Sequence, residues 1–331
     1  MAETLHFATG RAKTVSLPDL ISAIPYTVHR NPHTDSTTAA SNNWFLETAS
    51  FSVLQERKFC GMNIGYLSGR CYVHCGSKEL RNIADFLSFL FCLDDWSDEF
   101  DTAGTKGAAD CIMNTLYHPS TYYSSTILGI VINSIWSRML TSIGDHCGQR
   151  FIQTMDLYLQ AVYRETFDRE LGNIPTVDDY IKLRRDTSAC KPSFVMLEYG
   201  CKIDLPDSVI EHPVMHELEN AANDSVSWQN THNLVIVLMY EKGIGYQAAI
   251  EQAADMVRDT IVRFETHRAR LPSWGPELDE MAVTYIQGLQ DWMIGNTYWS
   301  FETARYFGSD GAKTKKTLRV PLLPTKLQTL A

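Results

Sequence analysis

The sequence predicts an all-α fold, and three observations support this prediction. Apolar residues recur at helical spacing almost throughout the chain, helix start signals precede several of these segments, and hairpin signals are nearly absent. The one Asp-Gly pair, at 310–311, lies beyond the last periodic segment. We therefore expect a single α-helical domain over residues 21–308, with no internal repeat or dividing linker. Residues 1–20 are expected to be flexible, and residues 309–331 to form a loosely packed tail.

The predicted helices can be followed in order along the chain. A helix start is expected at Ser77, immediately before "KELRNIADFLSFLF". The segment 151–167 carries an apolar stripe at helical spacing. This stripe consists of Phe151, Met155, Tyr158, Leu159 and Val162. Thr176 is predicted as an N-cap because Asp179 follows three residues later. A long helix is expected from Tyr246 to about Arg270, since this segment contains neither Gly nor Pro.

Composition and charge argue against several classes of function. The chain has 331 residues, of which 44% are apolar and 21% charged, and its net charge is −10 at pH 7. These are values of a globular protein with a substantial core. No Lys/Arg run indicates a nucleic-acid partner or an anionic membrane, and the longest apolar runs are too short to span a bilayer. We expect a protein that binds no nucleic acid and does not insert stably into membranes.

The cysteines indicate a reducing compartment. Eight of them are scattered through apolar surroundings without the paired spacing of a disulfide framework. The first residues lack the continuous apolar segment of a secretory signal. Reduced, mostly buried thiols in a cytoplasmic protein are therefore expected. A zinc site in "CYVHC" at 71–75 is disfavoured because no second ligand pair follows at a suitable spacing.

The stretch "LFCLDDWSDEFD" at residues 90–101 places a dense acidic cluster at the end of an apolar segment. If the segment is a helix, Asp94 and Asp98 lie one turn apart on one face, where like charges repel each other. The C-terminal end of a helix also disfavours acids because of the helix dipole. A solvated helix end is the ordinary interpretation of such a run.

The face that carries Asp94 favours a different interpretation, because it continues an apolar stripe. Leu90 and Phe91 lie about one turn before Asp94, and Phe86 and Leu87 lie a further turn back. Acids in this position need a cation, and magnesium prefers carboxylate oxygens while it shares its site with water and phosphate. We therefore predict acids at the mouth of an apolar cavity, which hold magnesium and bind a diphosphate.

Two further groups of residues could serve the same chemistry. In "NDSVSW", Asn223 and Ser227 lie one helical turn apart, and Thr231 follows a turn later. Amide and hydroxyl oxygens at that spacing could hold another magnesium ion, although such residues also occur on an ordinary polar helix face.

Arginines at two places suit the capture of phosphate oxygens, because the guanidinium is planar and binds in a bidentate manner. Arg184 and Arg185 precede the helix-disturbing run "SACKP". Arg305 and Tyr306 lie near the end of the last predicted helix.

With these residues in this order along an all-α chain, the sequence resembles a class I terpene synthase of the microbial type with a single α-domain. The aspartate-rich motif of that family is matched by Asp94, Asp95 and Asp98, with Glu99 adjacent. Its Asn-Ser-Glu metal motif is matched at Asn223 and Ser227. The resemblance implies an antiparallel helical bundle around a central apolar pocket, three magnesium ions and a prenyl diphosphate substrate. In fungal relatives of this size that substrate is most often farnesyl diphosphate.

The resemblance also implies roles for individual residues. Magnesium would be held by Asp94, Asp98, Asn223 and Ser227. Asp95 is a further candidate ligand. Otherwise Asp95, like Glu99, would support the site from a different face of the helix. Arg185 best matches the diphosphate-sensing arginine, and its neighbour Arg184 could substitute for it. Arg305 and Tyr306 match the closing Arg-Tyr pair, which would hydrogen-bond the diphosphate. Four aromatic residues are candidates for stabilising a carbocation, although ordinary core packing is the stronger expectation for each of them. They are Phe86, Phe91, Trp292 and Trp299.

The chain departs from the family pattern at two positions. The family places Glu or Asp eight residues after the motif asparagine, where this chain has Thr231. A neutral hydroxyl is a poorer magnesium ligand than a carboxylate, so the third metal site is expected to be weak. Ala189 stands where the helix break after the sensor arginine typically carries Gly. This change is expected to be mild, because alanine still offers its backbone carbonyl.

The sequence is compatible with several hypotheses about the function. The first is a sesquiterpene synthase, which ionises farnesyl diphosphate with magnesium and releases a cyclic hydrocarbon or alcohol. A synthase that uses geranyl diphosphate, and a silent helical protein that lost activity with the motif glutamate, are the alternatives. A chain-elongating prenyltransferase is disfavoured because that class carries two aspartate-rich motifs and this chain has one. Monomer and homodimer are both compatible with the sequence.

Overall fold

A computed structural model describes residues 14–97, 100–172, 175–228 and 231–322, with residues 231–233 described by their backbone alone. Within these residues the chain folds into helices around a large apolar core, which confirms the predicted all-α class. The helices are α1 (Leu20–Ala23), α2 (Thr34–Ala49), α3 (Val53–Met62), α4 (Ile64–Cys71), α5 (Ser77–Ser97), α6 (Thr102–Tyr117), α7 (Ile127–Met139), α8 (Asp145–Glu170), α9 (Val177–Thr187), α10 (Cys190–Cys201), α11 (Asp207–Ile210), α12 (Pro213–Trp228), α13 (Thr231–Lys242), α14 (Tyr246–Arg268), α15 (Pro276–Trp299), α16 (Ala304–Phe307) and α17 (Gly311–Thr317), with one 3-10 turn at Gly308–Asp310. The strands are β1 (Thr14–Ser16) and β2 (Arg319–Pro321).

The local signals for helix starts are confirmed. Helix α5 begins at Ser77, and α14 begins at Tyr246. The hydroxyl of Thr176 caps α9 by accepting a hydrogen bond from the backbone N–H of Asp179 at 3.2 Å. The predicted stripe on α8 faces the core, since Phe151 and its partners on that face are buried, apart from the partly buried Val162.

Close packing of α4 against α15 positions part of the cavity described below. Gly295 of α15 permits this approach, because a Cβ atom at that position would lie only 2.8 Å from the carbonyl oxygen of Arg70. Such a distance is sterically forbidden, so a larger residue would push the two helices apart. The approach places Leu67 on α4 and Trp292 and Trp299 on α15 around one cavity.

The two strands lie in segments that were expected to be flexible or loosely packed. β1 pairs with β2 in antiparallel register, with Val15 opposite Val320. Val15 is buried in a second apolar cluster that also contains residues of α9, α13 and α14. The side chain of Gln247 fixes β1 through two hydrogen bonds of 3.0 Å. Its Oε1 accepts from the backbone N–H of Ser16, and its Nε2 donates to the carbonyl oxygen of Ser16. Three-residue strands carry too little alternation to be recognised in a sequence, and tertiary packing decides their formation.

The Asp-Gly pair at 310–311 begins a helix and does not form a hairpin turn. Gly311 opens α17, and a Cβ atom there would lie 2.2 Å from the carbonyl oxygen of Phe301. All eight cysteines are free thiols, and six of them are buried. No helix among the described residues is long and apolar enough to cross a membrane.

Candidate active site

A cavity of about 120 Å³ lies inside the bundle, with polar and apolar residues on its wall. Its charged and most polar lining residues include Asp94, Arg184, Ser227, Asn296, Arg305 and Tyr306. Its apolar and aromatic lining residues include Leu67, Leu87, Leu90, Phe91, Trp292 and Trp299. The structure therefore brings together at least one residue from each of the four motifs that the sequence singled out, with both Arg305 and Tyr306 from the last of them.

Helix α5 carries both the apolar wall and the acid. Leu87, Leu90, Phe91 and Asp94 all line the cavity, and they follow one another at helical spacing. Asp94 therefore lies about 10 Å along the helix axis from Leu87, given the rise of an α-helix. The predicted stripe is confirmed for these residues. Phe86 is fully buried but is not part of this wall.

The acids at the end of α5 are paired with cations of the protein. Arg305 donates from Nη2 to Oδ2 of Asp94 at 2.7 Å and from Nη1 to Oδ1 of Asp95 at 2.8 Å. Lys58 Nζ lies 3.0 Å from the other oxygen of Asp95. Burial disfavours the charged guanidinium, but Asp95 and Asp94 outweigh this effect and raise the pKa of Arg305. The guanidinium carbon also lies 5.4 Å from the ring centroid of Phe91.

These contacts assign different positions to the two aspartates. The Asp94 side chain lines the cavity and is 59% exposed to solvent. The Asp95 side chain is only 18% exposed. Because the Asp94 carboxylate is largely exposed, solvent screens its ion pair with Arg305, and the pair contributes little to stability. Asp98 and Glu99, the other predicted acids of this cluster, lie outside the described residues.

The neighbouring arginines at the end of α9 have different surroundings. Arg185 donates to both carboxylate oxygens of Asp224, at 2.8 and 2.7 Å, and a third hydrogen bond of 2.8 Å comes from Arg263. Asp224 is fully buried, so Arg185 is committed to an interior ion pair. Arg184, in contrast, lines the cavity, and its Nε is buried with no hydrogen-bond partner among the described residues. The structure thus places Arg184 at the site and Arg185 behind it.

The predicted helix break separates α9 from α10. Ala189 adopts a left-handed backbone conformation with φ of +56°, which alanine rarely adopts. Its carbonyl oxygen accepts hydrogen bonds from the backbone N–H of Ser193 at 3.2 Å and from the Ser193 hydroxyl at 2.8 Å. The break therefore lies on the cavity wall with this carbonyl already engaged.

Helix α12 supplies the amide and hydroxyl that the sequence predicted as metal ligands. Ser227 is buried and lines the cavity, and its Oγ has no hydrogen-bond partner among the described residues. Asn223 is also buried, and its Oδ1 accepts a hydrogen bond of 2.9 Å from Ser188, which does line the cavity. Its Nδ2 donates to the carbonyl oxygen of Arg185 at 2.8 Å. Asn223 itself faces a neighbouring cavity of about 310 Å³.

The available oxygens fit a magnesium ion in their chemistry. Asp94 offers a carboxylate, Asn223 an amide oxygen and Ser227 a hydroxyl, and hard oxygen donors are those that magnesium prefers. The orphaned Ser227 hydroxyl supports this fit, because an unpaired buried hydroxyl is costly unless a ligand satisfies it. Among the residues with described side chains, no three His, Cys, Asp or Glu groups converge as a metal cluster. The Thr231 side chain, at the third motif position, is not described.

The cavity tryptophans differ in how their indole nitrogens are satisfied. Trp299 Nε1 donates to the carbonyl oxygens of Met62 and Asn63, at 3.1 and 3.0 Å, so this ring is fixed. Trp292 Nε1 is buried and has no partner among the described residues. Tyr306 packs edge-on against Trp299, with 5.8 Å between the ring centroids. These rings provide a fixed aromatic surface inside the cavity.

Sequence reasoning missed several residues of this site. Tyr158 lines the cavity, and burial, with help from Asp94, raises the pKa of its phenol. It was assigned to the core because it belongs to the apolar stripe of α8. Asp224 and Arg263 were missed because Asp224 lies 39 residues after its partner Arg185, and Arg263 lies a further 39 residues after Asp224. Ser188 directly precedes the predicted helix break at Ala189, and a polar side chain at that position could have indicated a role in the site.

A helical bundle around a cavity whose wall combines an acid, arginines and buried hydroxyls with apolar and aromatic side chains is the architecture of a class I terpenoid synthase. Comparison with known proteins agrees. Residues 85–263 match the model of "terpene synthase family 2, C-terminal metal binding". The chain is 47% identical to Sesquiterpene synthase 3 of Postia placenta, over 95% of this chain and 89% of that protein. It is 40% identical to Sesquiterpene synthase Agr1 of Cyclocybe aegerita, over 96% of this chain and 95% of that protein.

Solved structures support the same fold. Germacradien-4-ol synthase from Streptomyces citricolor superimposes with a TM-score of 0.75 at 22% identity, covering 86% of this chain and 97% of that one. A structure of α-eudesmol synthase superimposes with a TM-score of 0.78 at 19% identity, covering 84% and 97% of the two chains. The chain belongs to the class I terpene synthase family.

Proposed function

We propose that this protein is a sesquiterpene synthase, which ionises farnesyl diphosphate in the presence of magnesium and converts the allylic cation into a cyclic hydrocarbon or alcohol. One observation supports the proposal: a single cavity joins an acid, two arginines and a buried serine hydroxyl to an aromatic and aliphatic wall. The similar fungal proteins named as sesquiterpene synthases support a C15 substrate.

Asp94, Asn223 and Ser227 would hold magnesium together with Asp98. At these residues a bound metal ion would supply positive charge that makes the diphosphate a better leaving group. Arg184 would bind the diphosphate oxygens in place of Arg185, because Arg185 already satisfies Asp224. A buried guanidinium nitrogen without an acceptor is suited to an incoming anion.

Arg305 and Tyr306 would complete the diphosphate site from the C-terminal side. Arg305 contacts Asp94 through one amino group and Asp95 through the other, so it can turn one group to the diphosphate while Asp95 retains it. Tyr306 lines the cavity beside Arg305 and is held against Trp299. Both residues therefore lie where they can cover a bound diphosphate and exclude water.

The apolar wall would guide the hydrocarbon after ionisation. Phe91, Trp292 and Trp299 line the cavity, and a cation near the face of an aromatic ring is stabilised by about 0.5–2 kcal/mol. Exclusion of water keeps the carbocation from being quenched before rearrangement. Loss of a proton from the final cation gives a hydrocarbon, and capture of a water molecule followed by loss of a proton gives an alcohol.

Incubation with farnesyl diphosphate and magnesium, followed by gas chromatography of the headspace, tests the proposal. A volatile C15 product is expected, and it should disappear in Asp94→Ala but persist in Asp259→Ala, a matched change at an exposed aspartate of α14. Parallel incubation with geranyl diphosphate distinguishes the C10 alternative. The absence of both product and released diphosphate at all magnesium concentrations would identify a silent protein and refute the proposal.

A further inference from the structure

The inference concerns Ser188, at the break between α9 and α10, and it rests on the proposed function. We propose that the Ser188 hydroxyl is a ligand of the metal ion that Asn223 and Ser227 hold. It would supply a third protein oxygen at an ion whose usual acidic ligand is replaced by Thr231 in this chain.

The spacing of two oxygens supports this assignment. Ser188 Oγ lies 2.9 Å from Oδ1 of Asn223. Magnesium binds oxygens at 2.0–2.1 Å in octahedral geometry, so neighbouring ligand oxygens lie about 2.9 Å apart. The two oxygens therefore already have the separation of adjacent ligands on one ion.

The bonding capacity of both groups also permits a metal ion. Ser188 Oγ accepts a hydrogen bond from the backbone N–H of Cys190 at 3.2 Å, which uses one of its two lone pairs. The other lone pair is available, and the hydroxyl hydrogen can turn from Asn223 to a diphosphate oxygen. Asn223 Nδ2 donates to the carbonyl oxygen of Arg185, which orients Oδ1 towards Ser188. The amide oxygen likewise keeps a second lone pair.

Ser227 provides an independent observation that points to a ligand. Its hydroxyl is buried, has no hydrogen-bond partner among the described residues and lies on the wall of the same cavity as Ser188. It follows Asn223 by one helical turn on α12. Ser188 and Ser227 thus line one cavity, and the Asn223 amide oxygen is linked to that cavity by its hydrogen bond with Ser188.

A set of three neutral oxygens has a consequence for binding. Such a set attracts a divalent cation less than a carboxylate does, so most of the negative charge at this ion must come from the diphosphate. Metal binding at this location is therefore expected to require the anion. This dependence distinguishes the site from the acids at the end of α5.

Calorimetric titration with magnesium in the presence of inorganic pyrophosphate tests the ligand assignment. Ser188→Ala is expected to weaken metal binding at least about tenfold, because loss of even a group that only supports a ligand typically costs about 10- to 100-fold in affinity. Ser193→Ala is the matched control, because this serine lines the same cavity but its hydroxyl is committed to the Ala189 carbonyl. The control is expected to keep the wild-type affinity, and circular dichroism would verify that both variants fold.

A second variant separates ligation from mere positioning. A thiolate prefers a soft metal, so Ser188→Cys should bind cadmium more tightly than magnesium and show a sulfur-to-cadmium absorption band. Wild type corrects for the native thiols, and Ser193→Cys controls for a new thiol in the cavity. Unchanged magnesium affinity in Ser188→Ala, or the same cadmium band in Ser193→Cys, would refute the ligand role of Ser188 and leave the proposed function intact. If the wild-type protein binds no metal in the presence of pyrophosphate, both the ligand role and the proposed function are refuted.

Discussion

Arg184 and Arg185 are adjacent in sequence, yet their replacement should affect different properties of the protein. Arg184→Ala is expected to weaken pyrophosphate binding with little loss of stability, because its Nε has no partner among the described residues and lies at the cavity. Arg185→Ala should lower the free energy of unfolding with little effect on pyrophosphate binding, because it removes a bidentate partner of the buried Asp224.

The magnitudes follow from the contacts. A hydrogen bond to a charged group contributes about 1.5–3 kcal/mol, so loss of Arg184 should weaken pyrophosphate binding by about 10- to 150-fold. Removing one partner of a fully buried ion pair costs about 3–5 kcal/mol. The Arg185 side chain is 28% exposed and Arg263 remains bonded to Asp224, so the cost here should be smaller, about 1–3 kcal/mol.

Two measurements on each variant test this separation. Calorimetry with pyrophosphate and magnesium gives the binding affinity, and urea denaturation followed by circular dichroism gives the free energy of unfolding. Arg185→Lys is a useful control, since it keeps the charge but loses the bidentate geometry. The reasoning is refuted if Arg185→Ala weakens pyrophosphate binding more than Arg184→Ala does while both variants remain folded.

Three further predictions address other parts of the molecule. Ala189→Gly should raise the free energy of unfolding by up to about 1 kcal/mol, because glycine adopts a positive φ without strain. Thermal denaturation would measure the change, and a lower stability of the variant would contradict the prediction. Burial raises the pKa of Asp291 to about 6 from 3.8, so the folded protein retains a proton that the unfolded chain releases. The proton on Asp291 therefore stabilises the folded protein fully below pH 3.8. This stabilisation should fall by up to about 3 kcal/mol as the pH rises to about 6. Denaturation curves across this range should lose that slope in Asp291→Asn, and an identical slope in both proteins would exclude the assignment. Thr231→Glu should lower the magnesium concentration needed for half-maximal turnover, because it restores an acidic ligand, whereas an unchanged magnesium dependence would argue against that ligand position.

Much of the fold could be predicted because its signals are local. The start of α5 at Ser77, the cap of α9 at Thr176 and the stripe that ends in Asp94 depend on residues within one or two helical turns. The acidic cluster was recognised for a physical reason: an acid at a helix C-terminus needs a cation. In the structure, part of that need is met by Arg305 and Lys58.

The parts that escaped prediction depend on distant partners. Arg184 and Arg185 both fit a phosphate site by composition, and successive helical residues point about 100° apart. Which of the two faces the cavity is decided by Asp224, whose position relative to α9 no local pattern encodes. The pairing of β1 with β2 likewise joins segments about 300 residues apart in the sequence, far beyond the range of any periodicity.

This pairing makes the protein a candidate for circular permutation. Thr14 and Pro321 are opposite one another across the two-stranded ladder, so a short glycine-rich connector could join them. New ends could then be opened in the exposed turn at Gly243, between α13 and α14. Segments attached at Thr14 and Pro321 would therefore leave the described part of the molecule from neighbouring positions, which matters for immobilising the enzyme or fusing it to a second catalyst.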